Sequence, residues 1–271
     1  LSGQLKIIVL AKQVPDPESP PSSFLVDAEN LRVRLEGVPP VIGTFEESAL
    51  ELAVRLKETE GAEITLMSAG SNFSKAVFLK AAAVGADRMA MIEDDRLDRE
   101  RLDGFTTASV LASAVRKLGE FDLILAGRQA TDTNAGQVGI MLACMLSIPA
   151  VGPAQALRVQ DDRFIVERIL SDGYETVDMA RPGLVTISHE VGELRYPALA
   201  AIKAAKSMPR EVFTLDDLGF EMPAATAVEA VRLSLPSRER RCEMIEAEEP
   251  AEAGALLAER LVRDRALPWN C

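Results

Sequence analysis

The sequence predicts an α/β fold with a parallel sheet, extra antiparallel strands and a C-terminal arm. Three observations predict it. Short aliphatic runs such as residues 5–11, interrupted only by Lys6, have the composition of strands covered on both faces. These runs alternate with stretches whose apolar residues recur at helical spacing, which implies right-handed βαβ units. After Pro149 the segments shorten and are divided by turn residues, the pattern of an antiparallel addition.

The first strand is residues 5–11. Its apolar part is too short, with a lysine inside it, to read as a secretory signal. Residues 12–40 carry six prolines and form a long irregular excursion, in which Val26, Leu31, Val33 and Leu35 suit a short hairpin. From Phe45 the period changes: Phe45, Ala49, Leu52, Ala53 and Leu56 make one helical face, with Glu46 and Glu47 near its positive end. Residues 63–68 form a second strand ending in Ser68-Ala69-Gly70-Ser71. Ser71 or Asn72 is expected to cap a helix that stops at Gly85. A third strand covers residues 88–92, a charge-rich solvated loop 94–100, and a third helix 104–118.

The stretch 121–145, FDLILAGRQATDTNAGQVGIMLACM, supplies a fourth strand, a loop of small residues and a fourth helix start. Residues 154–160, 163–170, 175–178 and 184–188 are the expected antiparallel strands. Residues 198–206 read as a short basic helix. Residues 211–235 show no sustained period and read as an extended arm. An acidic run, 246–249, precedes a last amphipathic helix with Ala253, Leu256, Leu257 and Leu261 on one face.

Composition bounds the function. A chain of 271 residues suits one large domain, or one with an appendage. No run approaches the ~20 apolar residues of a membrane span. A formal charge of −12 argues against a general nucleic-acid binder. Cys144, Cys242 and Cys271 have no metal or redox spacing, and with no targeting signal the cytoplasm is the expected compartment. The single histidine, His189, reads as structural, and no metal site is expected.

In a parallel sheet, ligands sit outside the carboxyl ends of the strands, near a switch in strand order. The loop 127–139 is the strongest candidate there. Asp132, Thr133 and Asn134 suit a helix cap, and Ala135 and Gly136 leave the helix start uncrowded for a ligand oxygen. It is neither a Walker loop nor GxGxxG. Composition leaves two readings open, a phosphate cradle and an ordinary capped turn. Ser68-Ala69-Gly70-Ser71 reads as a plain turn unless both loops face one ligand.

At this point a family resemblance enters. LAKQVPD near the start, VGAD at 84–87, GRQATDTNAGQVG, LRYPALAAIKAAK and the C-terminal EEPAEAGALLAERLVRD, in that order, resemble prokaryotic electron transfer flavoprotein beta subunits. The resemblance implies a Rossmann-like adenine-nucleotide-binding fold. It implies a heterodimer with an FAD-bearing alpha subunit, and AMP or a second FAD held by this subunit. It also implies an electron carrier with no catalytic residue of its own, serving an acyl-CoA dehydrogenase or similar flavoenzyme.

Carried over by position, the cofactor contacts fall on Leu10, on Thr44 and Phe45, on Ala69, and on Asp132, Asn134, Ala135, Gly136, Gln137, Val138, Gly139 and Ala143. Asp132 orients the loop. A recognition loop covers about 185–207, with Leu199 as the apolar anchor and Tyr196 beside it. The implied domains are 1–210, holding the nucleotide and that loop, and 211–271, an arm and helix docking on the alpha subunit. The family usually has Asn-Pro before the aromatic that opens helix one, whereas this chain reads Gly43-Thr44-Phe45. The alternatives are an electron-bifurcating version with a second FAD, an ATP-hydrolysing or nucleotide-sensing domain, and a structural subunit with a vestigial loop.

Overall fold

The computed structural model describes residues 4–98, 102–235, 242–264 and 266. Arg99, Glu100 and Cys271, singled out above, lie outside the described residues. Two units divide the chain, residues 1–233 and 234–271.

The first unit runs β1 (Lys6–Leu10), β2 (Gln13–Pro15), β3 (Phe24–Asp27), β4 (Arg32–Leu35), β5 (Pro40–Ile42) and α1 (Thr44–Glu60). It continues β6 (Glu63–Gly70), α2 (Lys75–Ala82), β7 (Arg88–Glu93), α3 (Gly104–Leu118), β8 (Leu123–Gly127) and α4 (Val138–Leu146). Then follow β9 (Ala150–Gln160), β10 (Arg163–Leu170), β11 (Gly173–Ala180), β12 (Gly183–Ile187), α5 (Leu199–Ala205) and β13 (Arg210–Phe213). The second unit holds α6 (Pro250–Arg263), an amphipathic helix with no buried residue.

One nine-stranded sheet, in the order β11-β10-β9-β12-β8-β1-β6-β7-β13, organises the first unit. From β9 to β13 in that order every pairing is parallel; β10 and β11 add on antiparallel. Alternation along the strands divides the core in two. Ile7 and Val9 of β1 face the side where α1 and α2 bury Ala49, Leu50, Ala53 and Phe78. Ile8 and Leu10 face α3 and α4, with Val110, Leu111, Ala114 and Leu142. Period-2 side chains on a strand and helices on both faces make such a split unavoidable.

Several expectations hold. The hairpin in the proline-rich excursion is β3–β4, paired from Phe24↔Leu35 to Asp27↔Arg32. The third helix spans residues 104–118 as read. Asp103 caps it by accepting from the Thr106 N–H at 2.7 Å, and Gly119 follows its end.

Others need correction. β12 does not belong to the antiparallel addition: it lies parallel between β8 and β9, and all five of its residues are buried. Its mostly apolar composition, with Thr186 the one polar residue, is that of a central strand, which turn residues before it had obscured. β13, in the stretch read as a periodless arm, pairs parallel to β7 over Arg210↔Met89 to Phe213↔Ile92. Four residues at a sheet edge, mostly exposed, carry too little pattern to be read. Neither Ser71 nor Asn72 caps α2, which begins at Lys75 after Ser74 and ends at Ala82, before Gly85. Gln13 instead accepts from the Ser74 N–H at 2.6 Å, a long-range partner invisible to local sequence. The charge-rich stretch after β7 is more than solvated. Arg96 bridges Asp94 and Asp216, and Asp94 accepts from the Leu215 N–H.

Candidate functional site

The sheet reverses direction at β1: the chain moves outward to β6 and β7, then returns to β8 on the other side. A crevice opens at the carboxyl ends wherever two such crossovers diverge. Here it is a cavity of about 640 Å³, within the usual size of cofactor sites, lined from the ends of β1, β6 and β8. The β3–β4 hairpin adds Arg32 and Leu35 to its wall, and α1 adds Glu46.

The turn after β8 is longer than a capped βα turn. α4 starts only at Val138, its N-cap is Gln137, and no side chain caps it, so Asp132, Thr133 and Asn134 do not play that role. Within the turn, the Thr133 and Asn134 N–H groups both donate to the Ala130 carbonyl, at 3.3 and 2.8 Å. Asn134 and Gly136 both take positive φ, 51° and 63°. Gln129 donates to the Asn134 side-chain oxygen at 3.1 Å and fixes the first of these bends. The second requires glycine twice over, because a Cβ on Gly136 would also lie 3.3 Å from the Arg128 carbonyl oxygen. Beyond it, the first N–H groups of α4 lack intrahelical acceptors and sit at the positive end of the helix. Such a set of donors suits an anionic oxygen.

Lys12, just past β1, reaches across to Asp132 at 2.7 Å and ties the turn to the neighbouring strand. Glu46 lies close by, 6% exposed, with no partner for Oε2. Burial pushes its carboxyl up to about 7; a hydrogen bond from its own backbone N–H and, after it, Lys12 oppose the shift, while Asp132 and Glu47 add to it.

The expected contacts divide. Leu10, Ala69, Ala135, Gly136, Gln137, Val138 and Gly139 all line the cavity. Asp132 and Asn134 brace the turn from behind rather than lining it. Thr44 is exposed at the first position of α1, and its neighbour Phe45 packs between the Arg128 guanidinium and the edge of His189. Ala143 is buried in the core against the sheet. Lys12, Gln13 and Glu46 were not named individually from sequence as ligand-facing. Only Glu46 carried a local signal, a carboxylate in the first turn of a helix that follows a loop.

Away from the cavity, the stretch after β12 is clamped to α1. Arg195 donates to both carboxylate oxygens of Glu51, at 2.9 and 3.0 Å, and pairs with Glu58. Burial alone would raise Glu51, but Arg195 and Arg55 hold it below the usual range. Just beyond the clamp, Tyr196 is 89% and Leu199 70% exposed, with Lys80 5.9 Å from the Tyr196 ring centre.

Fold and cavity together define a doubly wound α/β protein with a cofactor-sized site at its topological switch point. A family model for the electron transfer flavoprotein domain matches residues 31–218. The chain is 32% identical to the electron transfer flavoprotein subunit beta of Thermoanaerobacterium thermosaccharolyticum, over 89% of this chain and 92% of that one. It is 30% identical to the Bacillus subtilis subunit of the same name, over 97% and 99%. It is 31% identical to the caffeyl-CoA reductase-Etf complex subunit CarD of Acetobacterium woodii, over 81% and 82%. The chain belongs to the electron transfer flavoprotein family, among its beta subunits. Among the described residues, no helix is long and apolar enough to cross a membrane.

Proposed function

We propose that this chain is the beta half of an electron-carrying heterodimer, holding an adenine nucleotide in the switch-point cavity. The observation that carries this reading is the turn around Gly136. It aims an uncapped helix start at a cavity shared with the ends of β1 and β6. The backbone from Ala135 to Gly139 holds the phosphate, with Leu10 and Ala69 against the rest of the nucleotide. Asp132 and Asn134 keep the turn in shape. The FAD of the alpha subunit supplies the redox chemistry; this chain contributes binding, orientation and electrostatics.

The C-terminal part, with α6 presenting an unburied apolar face, docks on the alpha subunit. Tyr196 and Leu199 form the contact for a dehydrogenase of the acyl-CoA type, because their exposure rests on a rigid clamp. Acid extraction of the co-purified complex, with the released ligand run against AMP and FAD standards, tests the nucleotide reading. We expect one adenine nucleotide per beta subunit; an empty subunit overturns it.

A second reading, a second FAD and electron bifurcation, is favoured by the far wall of the cavity. Val14, Leu35 and Val38 extend the lining from the phosphate turn to the hairpin, giving apolar surface suited to a ring system. Two FAD per heterodimer supports it, and one FAD with one AMP excludes it.

A further inference from the structure

Among the described residues, Glu46 is the one buried carboxylate on the cavity wall. Its Oε2 is buried without a hydrogen-bond partner. Two glycines make room for it. A Cβ on Gly43 would fall 2.3 Å from Oε2, and one on Gly127 would fall 3.1 Å from the carboxyl carbon. A larger residue at 43 would displace the acid.

The charged groups around Glu46 come from three directions. Lys12 follows β1, Asp132 belongs to the turn after β8, and Glu47 is its neighbour on α1. Lys12 is already engaged by Asp132 at 2.7 Å, and the Arg128 guanidinium stacks on the Phe45 ring. The end of β6 contributes Ser68, Ala69 and Gly70 to the cavity, none of them charged. A buried polar atom with no partner is costly, and an ionised carboxylate beside an anionic ligand more so. A neutral carboxyl avoids both penalties because its O–H can donate.

We propose that Glu46 acts in its acid form as a hydrogen-bond donor to an anionic nucleotide in the cavity, so that nucleotide and proton are taken up together. This rests on the reading of the cavity as a nucleotide site. No bond is made or broken: one proton moves from solvent to Glu46 as the nucleotide enters. The free carboxyl titrates at about 7, and a bound phosphate raises it further by like-charge repulsion. Binding is therefore strongest below pH 7. Above it, affinity falls about tenfold per pH unit until the bound-state value is reached.

The test titrates AMP into the full chain, freed of nucleotide, from pH 5.5 to 9, beside Glu46→Gln. Glutamine keeps the shape and a donor but cannot ionise. The AMP phosphate itself titrates near pH 6, and the variant reports that contribution alone. We expect the parent to lose about fivefold more affinity than Glu46→Gln between roughly pH 7 and 8. Parallel profiles for the two proteins overturn the role of Glu46 and leave the nucleotide site standing. A parent that binds AMP at no pH overturns the nucleotide reading itself. Should the variant not fold, calorimetry of the parent at pH 7.5 in buffers of different ionisation enthalpy gives proton uptake directly; none taken up overturns the proposal.

Discussion

The turns after β6 and after β8 begin alike and end differently. Each leaves the carboxyl end of a parallel strand through small and polar residues, and each lines the same cavity. After β6 the chain reaches α2 within a few residues, and a side chain from another strand, Gln13, satisfies the Ser74 N–H. After β8 ten residues intervene, two of them with positive φ, and no side chain caps α4. The difference lies in length and backbone. Neither helix start has a side-chain cap, but only the longer turn after β8 adds a second positive-φ bend, at Gly136, just ahead of its helix. Two turns of similar composition thus divide into a wall and a cradle.

Substitutions can sharpen or break that contrast. Gly136→Val should have the largest effect. A β-branched residue at φ 63° costs on the order of 1–3 kcal/mol, and its Cβ crowds the Arg128 carbonyl. Nucleotide affinity, read by titration, should fall tenfold or more; an unchanged affinity would mean that the turn is not the cradle. Asp132→Asn comes next. It removes a partly exposed ion pair worth about 1 kcal/mol or less, so affinity should drop about fivefold at most. It should also move the Glu46 titration below 7, because Asp132 is one of the charges raising it.

Gly70→Ala in the other turn should cost under about threefold, since its Cβ meets only the Phe73 ring, at 3.3 Å. Leu199→Ala should leave nucleotide content unchanged and stability within about 0.5 kcal/mol, because the side chain is 70% exposed. Stopped-flow electron exchange with an acyl-CoA dehydrogenase should nevertheless slow; equal rates would remove Leu199 from the docking role.

Burial of Glu46 also links pH to stability. Its folded-state value, about 7, lies above the ordinary 4.5 of a glutamate, so the protonated form favours the fold. That contribution is complete below about 4.5 and is lost as pH rises through 7. Urea denaturation midpoints of parent and Glu46→Gln should therefore diverge toward pH 8, with the variant more stable.

Much of this was legible because local pattern and tertiary role agree. The aliphatic run of β1, the helical faces of α1 and α3 and the Phe24–Leu35 hairpin each announce their environment through spacing or composition. The cradle was legible in part: Ala135 and Gly136 stood out as small residues at a helix start. By composition Asp132, Thr133 and Asn134 look like caps, yet α4 starts beyond them; the bracing by Asp132 agrees with the orienting role that the resemblance implies.

The sequence by itself determined the alternation of strands and helices, the two-sided burial of the sheet and the family, since each depends on residue identity and near-neighbour spacing. Strand order was decided only by tertiary structure. It brought β12 into the parallel run, β13 to the edge, and the ends of β1, β6 and β8 around one cavity. Lys12 and Asp132 are 120 positions apart, and Gln13 and Ser74 are 61. Contacts at such separations leave no periodic trace in the chain. Stretch 121–145 could be read as a loop for an anion, but the acid that faces it from α1 became visible only when the sheet closed.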